Sequence, residues 1–453
     1  MSADSIAEEH DISRSYVYKL ETQAEGIFNT IVENSKLDCV LLPVDSNFIR
    51  KNVLSLSMNC HASYEGIQRH LEDVCHVHIS IGEISNIINE ACILADDINK
   101  SIDLSKVKQT ANDEIFQGNK PVLTTVDLLS SYIVNMNPSE DRSGSSWENL
   151  MEERKLQGLD IEVSVSDGGS GLLCGIPKAF PKSELRMDVF HAERALGIEV
   201  SKLERAAYAE IEDEHKKIKA VSGKKVHKKT VKALEELQSH IDDDIWRTDQ
   251  ILTLYQWSKE LLGFCGCSAD EVIEALHWIC QQMLEIIPDR KLFRKQVHVF
   301  EDHIEQTVGF LHYLQKKMAD EEQKYGYKPG SMMCLYRARS YQFSQDSMQE
   351  WQVICDLAFD YNCDQRSQAE KVLESLIDIT YRASSMVENV NGRIRDYIDA
   401  KRSVPPMYFA LIQLYMNTKK YRRSEVKERI GKSPLELLTG KSHPSFYQLL
   451  GIE

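Results

Sequence analysis

The sequence predicts an α/β domain joined to a larger all-α part. Three observations carry this. Apolar residues follow helical spacing up to about residue 100. From 107 they switch to alternating and β-branched runs. From 198 to 380 the spacing is almost wholly helical again. At 453 residues, 42% apolar and 27% charged, the chain is long enough for about three domains with sizeable cores. The expected boundaries are 1–100, 101–197, 198–375 and 376–453.

The first segment reads as paired helices. In SIAEEHDISRSYVYKL (5–20) a short helix breaks at His10 and Asp11, Ile12 plugs the turn, and Ser13 caps a second helix. Tyr16, Val17 and Leu20 give that helix an inward face, which is helix-turn-helix spacing. Arg14, Ser15, Tyr18 and Lys19 then point outward, side chains suited to a major groove. YEGIQRHLEDVCHVHISIGEISNIINEA (64–91) repeats the pattern. It has a stripe of Ile67, Leu71 and Val74, a break at His76–Ile79, a cap at Ser80 with Glu83 three residues on, and a second stripe of Ile84, Ile87 and Ile88. Two such units predict a bipartite reader of duplex DNA. The plain alternative for each is a helical hairpin, with His76 and His78 as solvated turn residues rather than metal ligands.

The middle segment reads as a sheet with helices. Val107–Phe116 and KPVLTTVDLLSSYIV (120–134) read as strands joined by a turn at Gln117, Gly118 and Asn119. IEVSVS (161–166) is a short strand ending at Asp167, Gly168 and Gly169, and Glu184–Ala195 resumes helical spacing. The long helical run carries amphipathic stretches such as Asp270–Ile287 and Lys295–Met318, with no Gly-rich phosphate loop and no fixed repeat. Pro405 and Pro406 break the chain before the tail.

Net charge is −16, unlike most DNA-binding domains, yet its distribution is uneven. HKKIKAVSGKKVHKKTVK (215–232) holds no acid, and Lys401, Arg402, Lys419, Lys420, Arg422, Arg423, Lys427 and Arg429 form a second basic cluster. Each run is either a solvated helix face or a phosphate contact. Eleven scattered cysteines read as reduced thiols of a cytoplasmic protein. Cys265, Cys267 and Cys280 lack the paired spacing of a zinc site. No run reaches the roughly 18 apolar residues of a membrane span, and MSADSIAEEHDISRS has no signal-peptide pattern. No membrane partner is expected.

Three carboxylates stand at informative places: Asp113 in the first strand, Asp167 just past a strand end, and Glu388 in the helix SSMVENVNGRIR. Strand ends of α/β sheets display functional groups. A pair of divalent metals needs several hard oxygen ligands converging on one place. Singly, each reads as a turn or surface acid; together they can supply ligands for such metals.

Four blocks then carry a resemblance: NDEIFQGNKPVLTTVD, VSDGGSGLLCGIP, RMDVFHAERAL and SSMVENVNGRIR, followed by GKSPLELLTG after the basic KKYRR. In this order they resemble bacterial insertion-sequence transposases of the DDE type, which have a ribonuclease-H-like catalytic core. The resemblance covers about 107–198 and 380–440, and more weakly the N-terminal helices. It implies a core built from 101–197 and 376–453 and split by a helical insertion, with Glu388 221 positions after Asp167. It implies an acidic triad of Asp113, Asp167 and Glu388, holding two Mg2+ (or Mn2+) ions. Glu114 and Asp127 remain alternatives around the first acid. His191 matches a histidine that follows the second acid, and Tyr381 and Arg395 match residues seven before and seven after the glutamate. With Arg393 they are expected to touch DNA. Ser384 stands where relatives have an arginine. The implied partners are element-terminal inverted repeats and target DNA, bound by a homodimer or higher oligomer near the nucleoid. Two rival readings are a transposase-derived DNA-binding protein without activity and a nuclease on the same core.

Overall fold

The computed structural model describes residues 6–7, 10, 12–34, 44–221, 227–340, 345–401 and 403–452. Glu8, Glu9 and Asp11 of the first helix pair, and 222–226 of the first basic run, lie outside the described residues.

The described chain is mostly helical around one mixed sheet. Helices α1 (Arg14–Asn34), α2 (Ser46–Asn59), α3 (Tyr64–Cys75) and α4 (Ile81–Ser101) come first. Strands β1 (Gln109–Gln117), β2 (Lys120–Asp127) and β3 (Ile133–Pro138) follow, then α5 (Gly144–Lys155), β4 (Val163–Ser166), α6 (Ser170–Ala179) and β5 (Glu184–Met187). The helical part is α7 (Val189–Val221), α8 (Lys228–Leu261), α9 (Ala269–Ile286), α10 (Lys291–Glu301), α11 (Ile304–Tyr325), α12 (Ser331–Ser340), α13 (Gln345–Ala358) and α14 (Cys363–Asp378). The chain ends with α15 (Ser385–Asp399), α16 (Pro406–Thr418), α17 (Pro434–Thr439) and α18 (Phe446–Leu449).

The strand order is β3-β2-β1-β4-β5, with the first three antiparallel and β1, β4 and β5 mutually parallel. β1 and β2 close over Gly118 and Asn119, and Gly118 takes the left-handed conformation that such a tight turn needs. The stretch expected as one strand over 120–134 is two. Asp127 accepts hydrogen bonds from the Ser130 N–H (2.8 Å) and hydroxyl, and Ser131 has φ +61°, so the chain reverses there. This local side-chain-to-backbone bond competes with the ladder and ends the strand. Glu184–Met187, expected as the start of a helix, is β5. Four residues are too few to show an alternation, and pairing with β4 decides their state.

Each face of the sheet is covered by helices. Ala111, Ile115, Val122, Val126, Val163 and Val165 point to one side. They share a core there with Val387, Val390 and Ile394 of α15, Phe409 and Ile412 of α16, and Leu54, Ile67 and Ile84 of α2–α4. Leu123 and Val134 point to the other side, against Trp147, Met151, Leu172 and Ile176 of α5 and α6. The helical part has its own core, including Leu276, Met283, Phe310 and Leu314. It meets the sheet at β5, where α11 comes close through Gly309: a Cβ there would lie 3.0 Å from Glu184 Oε1.

Residues 44–101 therefore do not form a free-standing unit. Ser57 shares a hydrogen bond with the Tyr408 hydroxyl (2.7 Å), Asn99 Nδ2 donates to the Ala410 carbonyl (2.9 Å), and the Tyr397 hydroxyl donates to Met58 O (2.8 Å). Ser80 caps α4 through the Glu83 N–H as expected, but Val74, expected inward, is exposed. His76 ends α3 in the left-handed conformation, and His78 pairs with Glu72. In α1 only Val17 of the expected inward trio is buried; Tyr16 and Leu20 are 47% and 42% exposed.

Candidate functional site: a carboxylate cluster on the sheet

β1 and β4 run side by side, with Asn112 opposite Ser166 at the end of their ladder. The next residue after each is an acid, Asp113 within β1 and Asp167 just past the end of β4. Successive side chains alternate across a strand, so both acids share the face of Ala111 and Val165, on which α15 lies. Beneath them, on the opposite face, Asn112 accepts from the Thr125 hydroxyl (2.7 Å) and donates to Ser164 Oγ (2.8 Å), tying β2, β1 and β4 together.

Local bonds fix both acids. Asp113 Oδ1 accepts from the Glu114 N–H (2.8 Å). Asp167 Oδ1 accepts from the Gly169 N–H (2.9 Å) across a turn whose Gly168 has φ +82°. The left-handed conformation favours glycine there, and a Cβ at Gly168 would also press on the end of the Met187 side chain, 2.7 Å away.

Glu388 reaches the same face from the first turn of α15. Val387, Val390 and Ile394 bury one side of that helix on the sheet. Asn391, one turn beyond Glu388, donates from Nδ2 to Asp113 Oδ2 at 2.7 Å. His191, on the first turn of α7, places Nε2 3.4 Å from Glu388 Oε1 and Nδ1 3.4 Å from Asp188 Oδ2. The structure thus brings Asp113, Asp167, Glu388 and His191 to one region of the sheet.

Asp188 was not singled out from sequence. It is 1% exposed and holds two helix starts at once. Oδ1 accepts from the N–H groups of Phe190 (2.7 Å) and His191 (3.2 Å), capping α7. Oδ2 accepts from the N–H (2.5 Å) and hydroxyl of Ser384, the cap position of α15. Ser384 therefore serves to join these two helix starts. The nearby Arg382 turns into the helical part, donating to Leu262 O (2.7 Å) with its guanidinium 5.1 Å from the Phe264 ring centre.

Glu114 points to the other side of β1, where its Oε1 accepts from Trp147 Nε1 (3.1 Å). It still lies close to Asp167, since a Cβ on Gly169 would sit 3.3 Å from Asp167 Oδ1 and 3.9 Å from Glu114 Oε1. Burial pushes the Asp113 carboxyl up, and the negative charge of Asp167 adds to the push. Glu114 is raised for the same reasons, burial first, then Asp167 and Asp113. The Asp188 carboxylate raises His191, with Glu388 and Asp167 adding to it. Burial would lift Asp188, but the bonds from His191 and Ser384 outweigh it and hold it below the ordinary range.

The other expected contacts spread out. On a helix with 100° per residue, Arg395 lies within about 20° of Glu388, whereas Arg393 is about 140° away. Arg395 is exposed on the acid side. Arg393 instead lines a groove with Asn389, Tyr421 and Arg429. Tyr381 is half-buried, its hydroxyl raised by burial, with Arg429 and Asp127 as charged neighbours. Asp127 sits opposite Thr110, three residues before Asp113 on β1, and closes a turn, so it is a structural acid rather than a partner of Asp113. Arg14, Tyr18 and Lys19 stand exposed on α1, with Ser13 Oγ accepting from Tyr16 N (3.2 Å) at its start.

Among the described residues, one group of three offers ligand atoms all within 4.8 Å of one another: Glu210, His240 and Asp244, in α7 and α8. Asp113, Asp167 and Glu388 do not form such a group. Among the described residues no helix is long and apolar enough to cross a membrane. Comparison with protein-family models gives no match, and comparison with curated proteins gives none either.

Proposed function

We propose that the chain is a DDE transposase that cuts and rejoins DNA at a ribonuclease-H-like core. The observation that carries this reading is the placement of Asp113 on β1 and of Asp167 just past the end of the adjacent parallel β4, with the Glu388 helix tied to Asp113 through Asn391. A mixed sheet split from its last helix by a long helical insertion supports the same reading.

The donor set suits a hard divalent cation. Its ligands are carboxylate oxygens, which favour Mg2+ or Mn2+ over softer metals. Asp113 and Glu114 are raised first by burial and then by neighbouring carboxylates, so a bound cation would offset the cost of their charge. Asp113, Asp167 and Glu388 would hold the ions, which when bound activate the attacking hydroxyl and stabilise the leaving oxygen. Asn391 orients Asp113, and His191 lies beside Glu388 and would help hold it in place. Arg395 offers a positive charge on the same side for a DNA phosphate. Arg14, Tyr18 and Lys19 on α1, with the pair α3 and α4, supply the helix-turn-helix contacts to duplex ends. Element ends and target DNA are the partners, bound by a homodimer or larger assembly.

Nicking of supercoiled plasmid by the full chain tests the proposal. Cleavage is expected with Mg2+ or Mn2+, not with chelator, and not with Asp167→Asn. Asparagine keeps the oxygen that accepts from Gly169, so the turn survives while the charge is lost. Equal nicking by Asp167→Asn and the parent chain would refute it.

A further inference from the structure

We propose that Glu210, His240 and Asp244 bind a divalent transition-metal ion of the zinc class, and that this ion clips together the two arms of the α7–α8 hairpin. The site is separate from the sheet acids and does not depend on the function proposed for them.

The geometry starts from the hairpin. Glu210 lies eleven residues before the end of α7 at Val221, and His240 twelve after the start of α8 at Lys228. At 1.5 Å per residue these are about 17 and 18 Å from the turn, so antiparallel arms bring them level. Asp244 follows His240 by four residues and therefore lies on the same face of α8. One histidine and one acid at i and i+4, with a second acid from the facing helix, is a chelating arrangement built from two rigid elements. One ligand atom from each residue falls within 4.8 Å of the other two. Together they supply one imidazole nitrogen and two carboxylate oxygens, leaving a fourth tetrahedral position for water. Imidazole favours zinc-class ions over Mg2+, which separates this site from the all-oxygen cluster on the sheet.

A second observation says why an ion is placed there. The three residues line a cleft with Leu203, Thr248 and Ile287, at the edge of the helical core. Ile241 is the first buried residue of α8, and in α7 the last is Leu203. Beyond this level the described residues of both arms, 211–220 and 228–240, are exposed or half-exposed, so no apolar core joins them. Asp244 is drawn only to His240, 3.7 Å away, while Glu210 has no ion pair among the described residues. The described part of the hairpin beyond carries basic residues on both arms, Lys216, Lys217 and Lys219 on one and Lys228, Lys229 and Lys232 on the other. A metal bridge at its base fixes the direction in which those arms project.

The test uses the metal-free full chain, titrated calorimetrically with ZnCl2 in millimolar Mg2+. His240→Ala and Asp244→Asn run alongside, and circular dichroism confirms that each variant is folded. One equivalent of Zn2+ is expected per chain. Either variant should lose more than the roughly 100-fold in affinity that an outer-shell change costs. Hydrogen exchange within 211–220 and 228–239 should slow when Zn2+ is added to the parent chain and stay unchanged in His240→Ala. Wild-type affinity in His240→Ala, or a cobalt-substituted chain showing thiolate charge-transfer absorption, would overturn the site. Saturable binding without slowed exchange would overturn the clip.

Discussion

Asn391 donates a hydrogen bond to Asp113 across 2.7 Å, joining residues 278 positions apart in the chain. The bond ties the last long helix of the core to its first strand, and sets Glu388, one turn earlier, over the same face. A hydrogen bond to an ionised group contributes about 1.5–3 kcal/mol. Asn391→Ala is expected to lower the thermal midpoint and to raise the Mg2+ concentration that gives half-maximal cleavage. Measuring both separates the roles: a lower midpoint with an unchanged Mg2+ requirement would make the contact purely structural.

Asp188 is the second tie. Its two oxygens meet only donors: the N–H groups of Phe190 and His191 on one, the N–H and hydroxyl of Ser384 on the other. Asparagine turns an NH2 toward donors whichever way it is placed. Asp188→Asn should therefore cost about 3 kcal/mol in chemical denaturation. It should also loosen Glu388, cutting cleavage more than DNA binding. A variant as stable as the parent would contradict this account of the junction.

Lys401 gives a pH prediction. Burial beside Tyr408, whose ring centre lies 4.0 Å from Nζ, lowers its ammonium to about 8. A lysine lowered in the folded state costs stability while charged. The cost is full below pH 8 and disappears as pH rises toward the ordinary value of about 10.4. Lys401→Met is expected to melt higher than the parent at pH 7, with the gap closing by about pH 10. A gap that stays constant or widens with pH would show that the ammonium is not the cause.

DNA binding is best tested in the full chain, because α2–α4 share their core with the sheet. Replacing both Arg14 and Lys19 by Ala should weaken binding to duplex ends. The slope of log affinity against log salt should fall by about 1.8, roughly 0.9 for each phosphate contact removed. An unchanged slope would move the DNA path elsewhere.

How much was legible in the sequence follows from the range of the forces involved. Asp113 and Asp167 could be placed because β-branched runs mark strands locally, and an acid just past such a run stands out. Val387, Val390 and Ile394, three and four residues apart, have the spacing of one buried helix side. The four-residue β5 and the turn at Asp127 were not legible, since pairing and one side-chain bond decide them. Nor was the burial of α2–α4 against α16, because an apolar stripe does not name its partner. Asp188 and Ser384, 196 residues apart, gave no local signal of their bond. Arg393 stands apart from the acids, because five residues on from Glu388 is the far side of the helix.

The claim on which the account rests is that Glu388 completes a metal site with Asp113 and Asp167. Glu388→Gln keeps the size of the side chain and its exposed place in the first turn of α15, and removes the charge. The decisive measurement is the rate of Mg2+-dependent strand cleavage by Glu388→Gln beside the parent chain, with DNA binding measured on the same samples. The account predicts binding retained and cleavage lost by more than about a hundredfold, since even a 1 Å misplacement of catalytic groups costs that much. Cleavage within a few-fold of the parent would make Glu388 a surface acid and contradict the account.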